Sequence, residues 1–180
     1  GKAFLEAGTR EWGGKMQDDV TDGAQWLIDE GIADPDRMCI VGWSYGGYAA
    51  AMGAVKTPDM FKCAASINGV LNLPRQMVHN ENYGGGRGWN DMIGLEGESS
   101  KSVSPYHQAE NITIPMLIIQ AKDDARVPDV QARNMVKRLE SLDKDVVFVQ
   151  IEFGGHSLQN VAGREQILRA LQEFLVKHIG

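Results

Sequence analysis

The stretch Met38-Cys-Ile-Val-Gly-Trp-Ser-Tyr-Gly-Gly-Tyr48 constrains this chain more than any other: an apolar run ends in Gly-x-Ser-x-Gly and a helix-compatible segment follows. That pattern builds a sharp strand-to-helix turn, the nucleophile elbow, in which the serine hydroxyl projects from the edge of a sheet. Ser44 is therefore the candidate nucleophile, and Gly42, Gly46 and Gly47 omit side chains that would collide with neighbouring backbone. The flanks agree. Cys39, Ile40 and Val41 form a short apolar run bounded by the turn signal Asp34-Pro-Asp-Arg37, which reads as a buried parallel strand. Tyr45 to Lys56 is rich in alanine, suits a helix and stops at Thr57-Pro58.

The rest of the chain continues this alternation. Strands are predicted at Met38 to Trp43, Cys63 to Val70, Pro115 to Lys122 and Val146 to Glu152, and helices at Lys15 to Glu30, Tyr45 to Lys56, Asp129 to Leu142 and Leu158 to His178. Val130, Met135, Leu139 and Leu142 recur at helical spacing, as do Val161, Leu168, Leu171 and Leu175. Strands alternating with amphipathic helices predict an α/β fold whose mostly parallel sheet carries helices on both faces. The 180 residues fit one domain. Leu71 to Asn111 interrupts the alternation around Gly84-Gly-Gly-Arg-Gly88 and reads as a loop-rich insertion. It lacks the Gly-Lys-Ser/Thr ending of a phosphate cradle, so a lid or pocket wall is its functional reading.

A net charge of −6 without a Lys/Arg cluster argues against a nucleic-acid or anionic-membrane surface. No apolar stretch approaches the ~20 residues of a spanning helix. Cys39 and Cys63 each lie in an apolar run and read as two buried, unpaired thiols. Such thiols suit a reducing compartment such as the cytoplasm better than a periplasmic or secreted setting, though location stays open. No Cys/His cluster has zinc spacing, and neither metal nor other cofactor is expected.

A serine hydroxyl needs an imidazole to take its proton and a carboxylate to orient that imidazole. Asp123 and Asp124 directly follow the third strand, and His156 follows the fourth in Phe153-Gly-Gly-His-Ser157. The order Ser, Asp, His is that of the α/β-hydrolase fold, and all three would project from the carboxyl edge of one sheet. Spacing alone does not choose between Asp123 and Asp124. His79, His107 and His178 follow no strand and read as surface or structural residues, and Asp18 and Asp19 as helix-surface or ion-paired charges.

Glu11-Trp-Gly-Gly14 with Gln17-Asp-Asp19, Gly42-Trp-Ser-Tyr-Gly-Gly-Tyr48, Phe61-Lys-Cys63, Ser104-Pro105, Asp124-Ala-Arg-Val-Pro128 and Gly155-His156 together carry a resemblance. Along its whole length the chain resembles the C-terminal part of the catalytic domain of the prolyl oligopeptidase family of serine peptidases, which includes dipeptidyl and acylaminoacyl peptidases. The resemblance implies Asp124 rather than Asp123 as the triad acid. It implies the Tyr45 backbone N–H as an oxyanion donor, which elbow geometry also requires, and Tyr45, Val70, Leu73 and Val127 as substrate-binding residues of the primary specificity pocket. The chain departs from the family pattern at Gln120-Ala121, where the family usually has His-Gly, and at Gln76, where dipeptidyl peptidases keep a tyrosine near the substrate's amino terminus.

Family catalytic domains carry further strands, and a second oxyanion donor from a tyrosine, before the point matching Gly1. The chain therefore reads as the C-terminal portion of a single α/β-hydrolase peptidase domain, residues 1–180. Its expected partner is the missing N-terminal segment, and a homo-oligomer stays open. Without that segment the first strand would have an unpaired, apolar flank. The leading expectation is a serine hydrolase cleaving short peptides through a Ser44-Asp124-His156 triad and an acyl-enzyme. A carboxylesterase would use the same triad, and a catalytically silent piece of a larger assembly is the alternative from another class.

Overall fold

The four apolar runs form one sheet whose strands all pair in parallel, in a computed structural model describing residues 1–157 and 159–180. β1 (Cys39–Trp43), β2 (Cys63–Ile67), β3 (Met116–Ala121) and β4 (Val146–Ile151) lie in the order β1-β2-β3-β4. Each crossover thus adds the next strand beside the last. The register pairs Trp43 with Ile67, Ile67 with Ile119 and Ala121 with Ile151, so the carboxyl ends gather along one edge.

The two-residue repeat of the strands sorts the core. Cys63, Ala65 and Ile67 of β2 pack with Ile167 and Phe174 of α8 (Val161–Ile179). Ala64, Met116 and Ile118 point the other way, onto Ala51 and Ala54 of α3 (Tyr45–Lys56) and Ala132, Met135 and Leu139 of α7 (Val130–Ser141). Both faces of β2 and β3 are covered, which is why these strands read as continuous apolar runs. α1 (Lys2–Ala7) and α2 (Lys15–Asp29) precede the sheet, and Gln17 anchors α2 by donating to the Ala49 carbonyl of α3 at 3.1 Å.

Three expectations need correction. The second strand stops at Ile67 rather than Val70 because Asn68 takes a left-handed backbone conformation (φ 47°) that no ladder can continue. The expected loop-rich insertion contains three helices: α4 (Leu73–Glu81), α5 (Gly86–Ile93) and α6 (Gly97–Ser102). Its polar and glycine residues are helix punctuation. The Asn72 side chain caps α4 by accepting from the Arg75 N–H, left-handed Gly85 and Gly94 bound α5, and Glu96 and Ser99 form a capping box for α6. The two cysteines are not free thiols. Cys39 and Cys63 are register partners on adjacent strands, with Cα atoms 4.7 Å apart, and form a disulfide. This removes the sequence argument for a reducing compartment.

The last helix begins at Val161; Leu158, where the sequence reading starts it, lies outside the described residues. As expected for a four-stranded sheet, among the described residues no strand pairs with one flank of β1, and Val41 and Trp43 of that strand are exposed.

Candidate active site

Ser44 sits between β1 and α3 with φ 58° and ψ −119°, a conformation rarely adopted by a side-chain-bearing residue. Its N–H donates to the Ile67 carbonyl at 2.9 Å and its carbonyl accepts from Tyr48 N–H at 3.1 Å, pinning the turn from both ends. A Cβ on Gly42 would overlap the Gly46 carbonyl, and one on Gly47 would lie 2.8 Å from the Gly69 Cα. Gly42 and Gly47 are thus a steric requirement of this turn, whereas a Cβ on Gly46 would meet open space, so the collision expected there does not arise.

The loops after β3 and β4 bring the other two side chains to the serine. His156 Nε2 lies 2.8 Å from Ser44 Oγ, and His156 Nδ1 lies 2.8 Å from Asp124 Oδ2. With a carboxylate on one side, Nδ1 is assigned the proton, leaving the Nε2 lone pair facing the hydroxyl. Asp124 is buried, and its second oxygen accepts the backbone N–H groups of Arg126 at 2.8 Å and Val127 at 2.9 Å. Gln120, at the usual His-Gly position, lies within β3 and donates through Nε2 to the carbonyls of Ala121 and Val127, both at 3.1 Å. The strand survives that departure, and the amide braces the Asp124 loop.

Asp123 does a different job from its neighbour. Its carboxylate accepts the N–H groups of Gly155 at 2.8 Å and Gly154 at 3.1 Å, holding the histidine loop rather than the ring. The Gly155 N–H is the main reason its carboxyl is held below its ordinary value. A group depressed in the folded state contributes fully above the ordinary carboxylate range, and that contribution fades as pH falls through the lowered value. Asp123→Asn is therefore expected to lower the melting temperature slightly at neutral pH, the gap to wild type narrowing as pH falls below the ordinary carboxylate range. Paired thermal melts across that range check it.

Tyr45 opens α3, and the first N–H groups of a helix have no intrahelical acceptor, so its backbone N–H can face a developing oxyanion beside Ser44. Beside the serine lies a small cleft partly open to solvent. Tyr45, Val70 and Val127 line it. Leu73 does not: it is wholly buried in the apolar cluster beneath, with Trp12, Met52 and Ile93. The Tyr45 ring stands edge-on to Trp12 at 4.7 Å, and burial pushes its hydroxyl up to about 12, so it stays neutral.

The insertion forms the remaining wall through Gln76, Asn80, Tyr83, Trp89 and Ile93. Gln76 is fully engaged there. Its amide donates to Asn80 Oδ1 at 2.8 Å and the Arg126 carbonyl at 2.9 Å, while its oxygen accepts from Gln131. Such an amide belongs to the wall, and its oxygen, the group an amino terminus would need as acceptor, is buried against Gln131. Sequence reasoning missed Trp89 and Ile93, although an apolar pair at helical spacing within the glycine-rich segment was a legible signal.

The model of the prolyl oligopeptidase family matches residues 1–180. The chain is similar to dipeptidyl aminopeptidase BIII of Pseudoxanthomonas mexicana, with 30% identity over the whole chain and 27% of the relative. It is equally similar, at 30%, to dipeptidyl peptidase family member 6 of Caenorhabditis elegans, again over the whole chain and 25% of the relative. Among solved structures, a puromycin-hydrolyzing peptidase of Mycobacterium tuberculosis superposes with a TM-score of 0.89 and 27% identity, over 97% of this chain and 27% of that one. An acylaminoacyl peptidase in complex with Z-Gly-Gly-Phe-chloromethyl ketone gives 0.84 and 25%, over 96% and 29%. The chain thus spans about a quarter of the length of the curated relatives it matches.

Proposed function

The chain belongs to the prolyl oligopeptidase family, and from that premise we propose that it is the triad-bearing portion of a serine peptidase domain that cleaves short peptides through an acyl-enzyme. The observation that carries this reading is the unbroken link from Ser44 through His156 to Asp124, with both contacts at 2.8 Å, on the rim of an aromatic cleft.

In the proposed reaction Ser44 Oγ attacks the acyl carbonyl while His156 Nε2 takes its proton. The Tyr45 N–H stabilises the resulting oxyanion. The imidazolium, held by Asp124, passes its proton to the departing amine as the carbon–nitrogen bond breaks. Water, deprotonated by the same imidazole, then attacks the acyl carbon, and the imidazolium returns that proton to Ser44 Oγ as the acyl–oxygen bond breaks and the carboxylic acid leaves.

The cleft supports an apolar or aromatic residue on the acyl side of the cleaved bond, since Trp12, Tyr45, Val70 and Val127 offer apolar surface there. The structural neighbour's chloromethyl ketone carries phenylalanine at its reactive end, in keeping with that preference. The engaged amide of Gln76 supports cleavage that does not depend on this residue gripping a free amino terminus.

A fluorophosphonate tests the reading, because it labels only a serine activated by its neighbours. The intact protein is expected to gain one adduct, mapped by peptide mass to Ser44, and then to turn over phenylalanyl peptides faster than aspartyl ones. No adduct on folded protein would overturn the proposal. Matched amide and ester substrates then separate a peptidase from an esterase.

A further inference from the structure

We propose that Asn68 is a positioning residue that sets the aspartate and histidine loops in register with each other and with the elbow. The inference rests on the hydrolase reading above and goes beyond the triad. Asn68 is completely buried at the carboxyl end of β2, the strand lying between β1, which carries Ser44, and β3, which carries Asp124. Its side-chain oxygen accepts the Ala121 N–H at 2.8 Å, at the point where β3 gives way to the Asp124 loop. Its side-chain nitrogen donates to the carbonyls of Gly155 and His156, both at 3.3 Å. Its own N–H donates to the Ile119 carbonyl at 2.9 Å, and the carbonyl just before it, on Ile67, takes the Ser44 N–H at 2.9 Å. Two consecutive residues thus touch all three segments that bear the triad.

Only an amide can make this set of bonds. The Ala121 N–H needs an acceptor, and the two carbonyls of the histidine loop need donors, so the group must offer both without charge. A carboxylate would set negative oxygen against two carbonyls, and an aliphatic side chain would strip the Ala121 N–H and the Gly155 carbonyl of this partner and leave the His156 carbonyl to Trp43 alone. The left-handed backbone fits as well, since asparagine tolerates that region better than most residues. The side chain is aimed at both loops because the chain turns left-handed just where β2 ends. Trp43 Nε1 also donates to the His156 carbonyl, at 3.1 Å, but reaches neither β3 nor the Asp124 loop. Asn68 is the member of the set that ties aspartate to histidine.

The test compares Asn68→Gly with Asn68→Asp in the intact protein, with activity expressed per fluorophosphonate-titrated serine. Glycine accepts the positive φ without strain, so Asn68→Gly deletes the bonds alone. Asn68→Asp keeps size and acceptor but loses both donors. For each variant kcat is expected to fall about ten- to a hundredfold while KM stays within about twofold, the pattern of catalytic groups displaced by a fraction of an ångström. The labelling rate is expected to fall in parallel. Leu139→Ala, in the α7 core on the opposite face of the sheet, supplies the control for lost stability: its melting temperature should drop while kcat per titrated site holds. If Asn68→Gly gives little folded protein, its labelling rate still reports on the folded fraction, because unfolded serine does not react. A labelled wild type with kcat and labelling rate unchanged in the Asn68 variants would overturn the positioning role and leave the hydrolase reading standing. An unlabelled wild type would overturn the hydrolase reading and this inference with it.

Discussion

Replacing Ser44 by alanine is expected to lower kcat for any peptide substrate by about a millionfold, and His156→Ala by about as much, while the double variant loses little more. The reason lies in the serial geometry. The hydroxyl is reactive only when the imidazole 2.8 Å away removes its proton, and that imidazole activates water only after the serine has been acylated. Once either is gone the relay is gone, and the second deletion has nothing left to remove. The rate that survives, about a thousandfold or more over water, comes from substrate binding and the oxyanion donor. Single-turnover assays on the three purified variants check this. Losses that multiplied in the double variant would mean that the two side chains act separately, and the relay would have to be abandoned.

The sequence carries best what short-range chemistry dictates. The elbow is legible because strand, positive-φ serine and small residues must lie side by side in the chain, and the helical stripe of α7 because one face meets a sheet. The stripe expected on α8 is only half right: Leu171 and Leu175 pack toward the sheet beside Ile167 and Phe174, whereas Val161 and Leu168 are exposed. What it hides is set by contacts between distant segments. Asp123 and Asp124 are equivalent as consecutive residues after β3, and they separate only when one turns to His156 and the other to Gly154 and Gly155. The disulfide follows from a strand register that places Cys39 opposite Cys63, which no local pattern encodes. Leu73 fails as a pocket residue for a related reason. It stands at the start of a helix whose roll, set by packing on Trp12 and Ile93, turns it inward and leaves Gln76 and Asn80 on the cleft. The helices of the insertion were hidden by glycines that look like loop residues and act as left-handed helix ends.

Asp124→Asn is the sharpest test of the site, because the surroundings dictate which way the new amide must face. Asp124 Oδ1 accepts two backbone N–H groups, from Arg126 and Val127, so the only acceptor of an asparagine has to take that position. Its NH2 group is then left pointing at His156 Nδ1, where the carboxylate oxygen stood at 2.8 Å. A donor facing Nδ1 requires that nitrogen to be the acceptor, which moves the ring proton to Nε2, opposite Ser44. The imidazole can then no longer take the hydroxyl proton, and kcat is expected to fall about ten-thousandfold with KM little changed. Flipping the amide would restore the tautomer only by setting its NH2 against two N–H donors inside a buried loop, a penalty of about 1–3 kcal/mol for each group left unpaired. Asp123→Asn provides the contrast within the same loop, since that carboxylate holds backbone and not the ring, and its kcat is expected to stay within a few-fold of wild type. Steady-state kinetics on the two variants would read the difference directly. Equal losses would mean that the adjacent carboxylates act as one charge, and the distinct roles drawn from their hydrogen bonds would fail together.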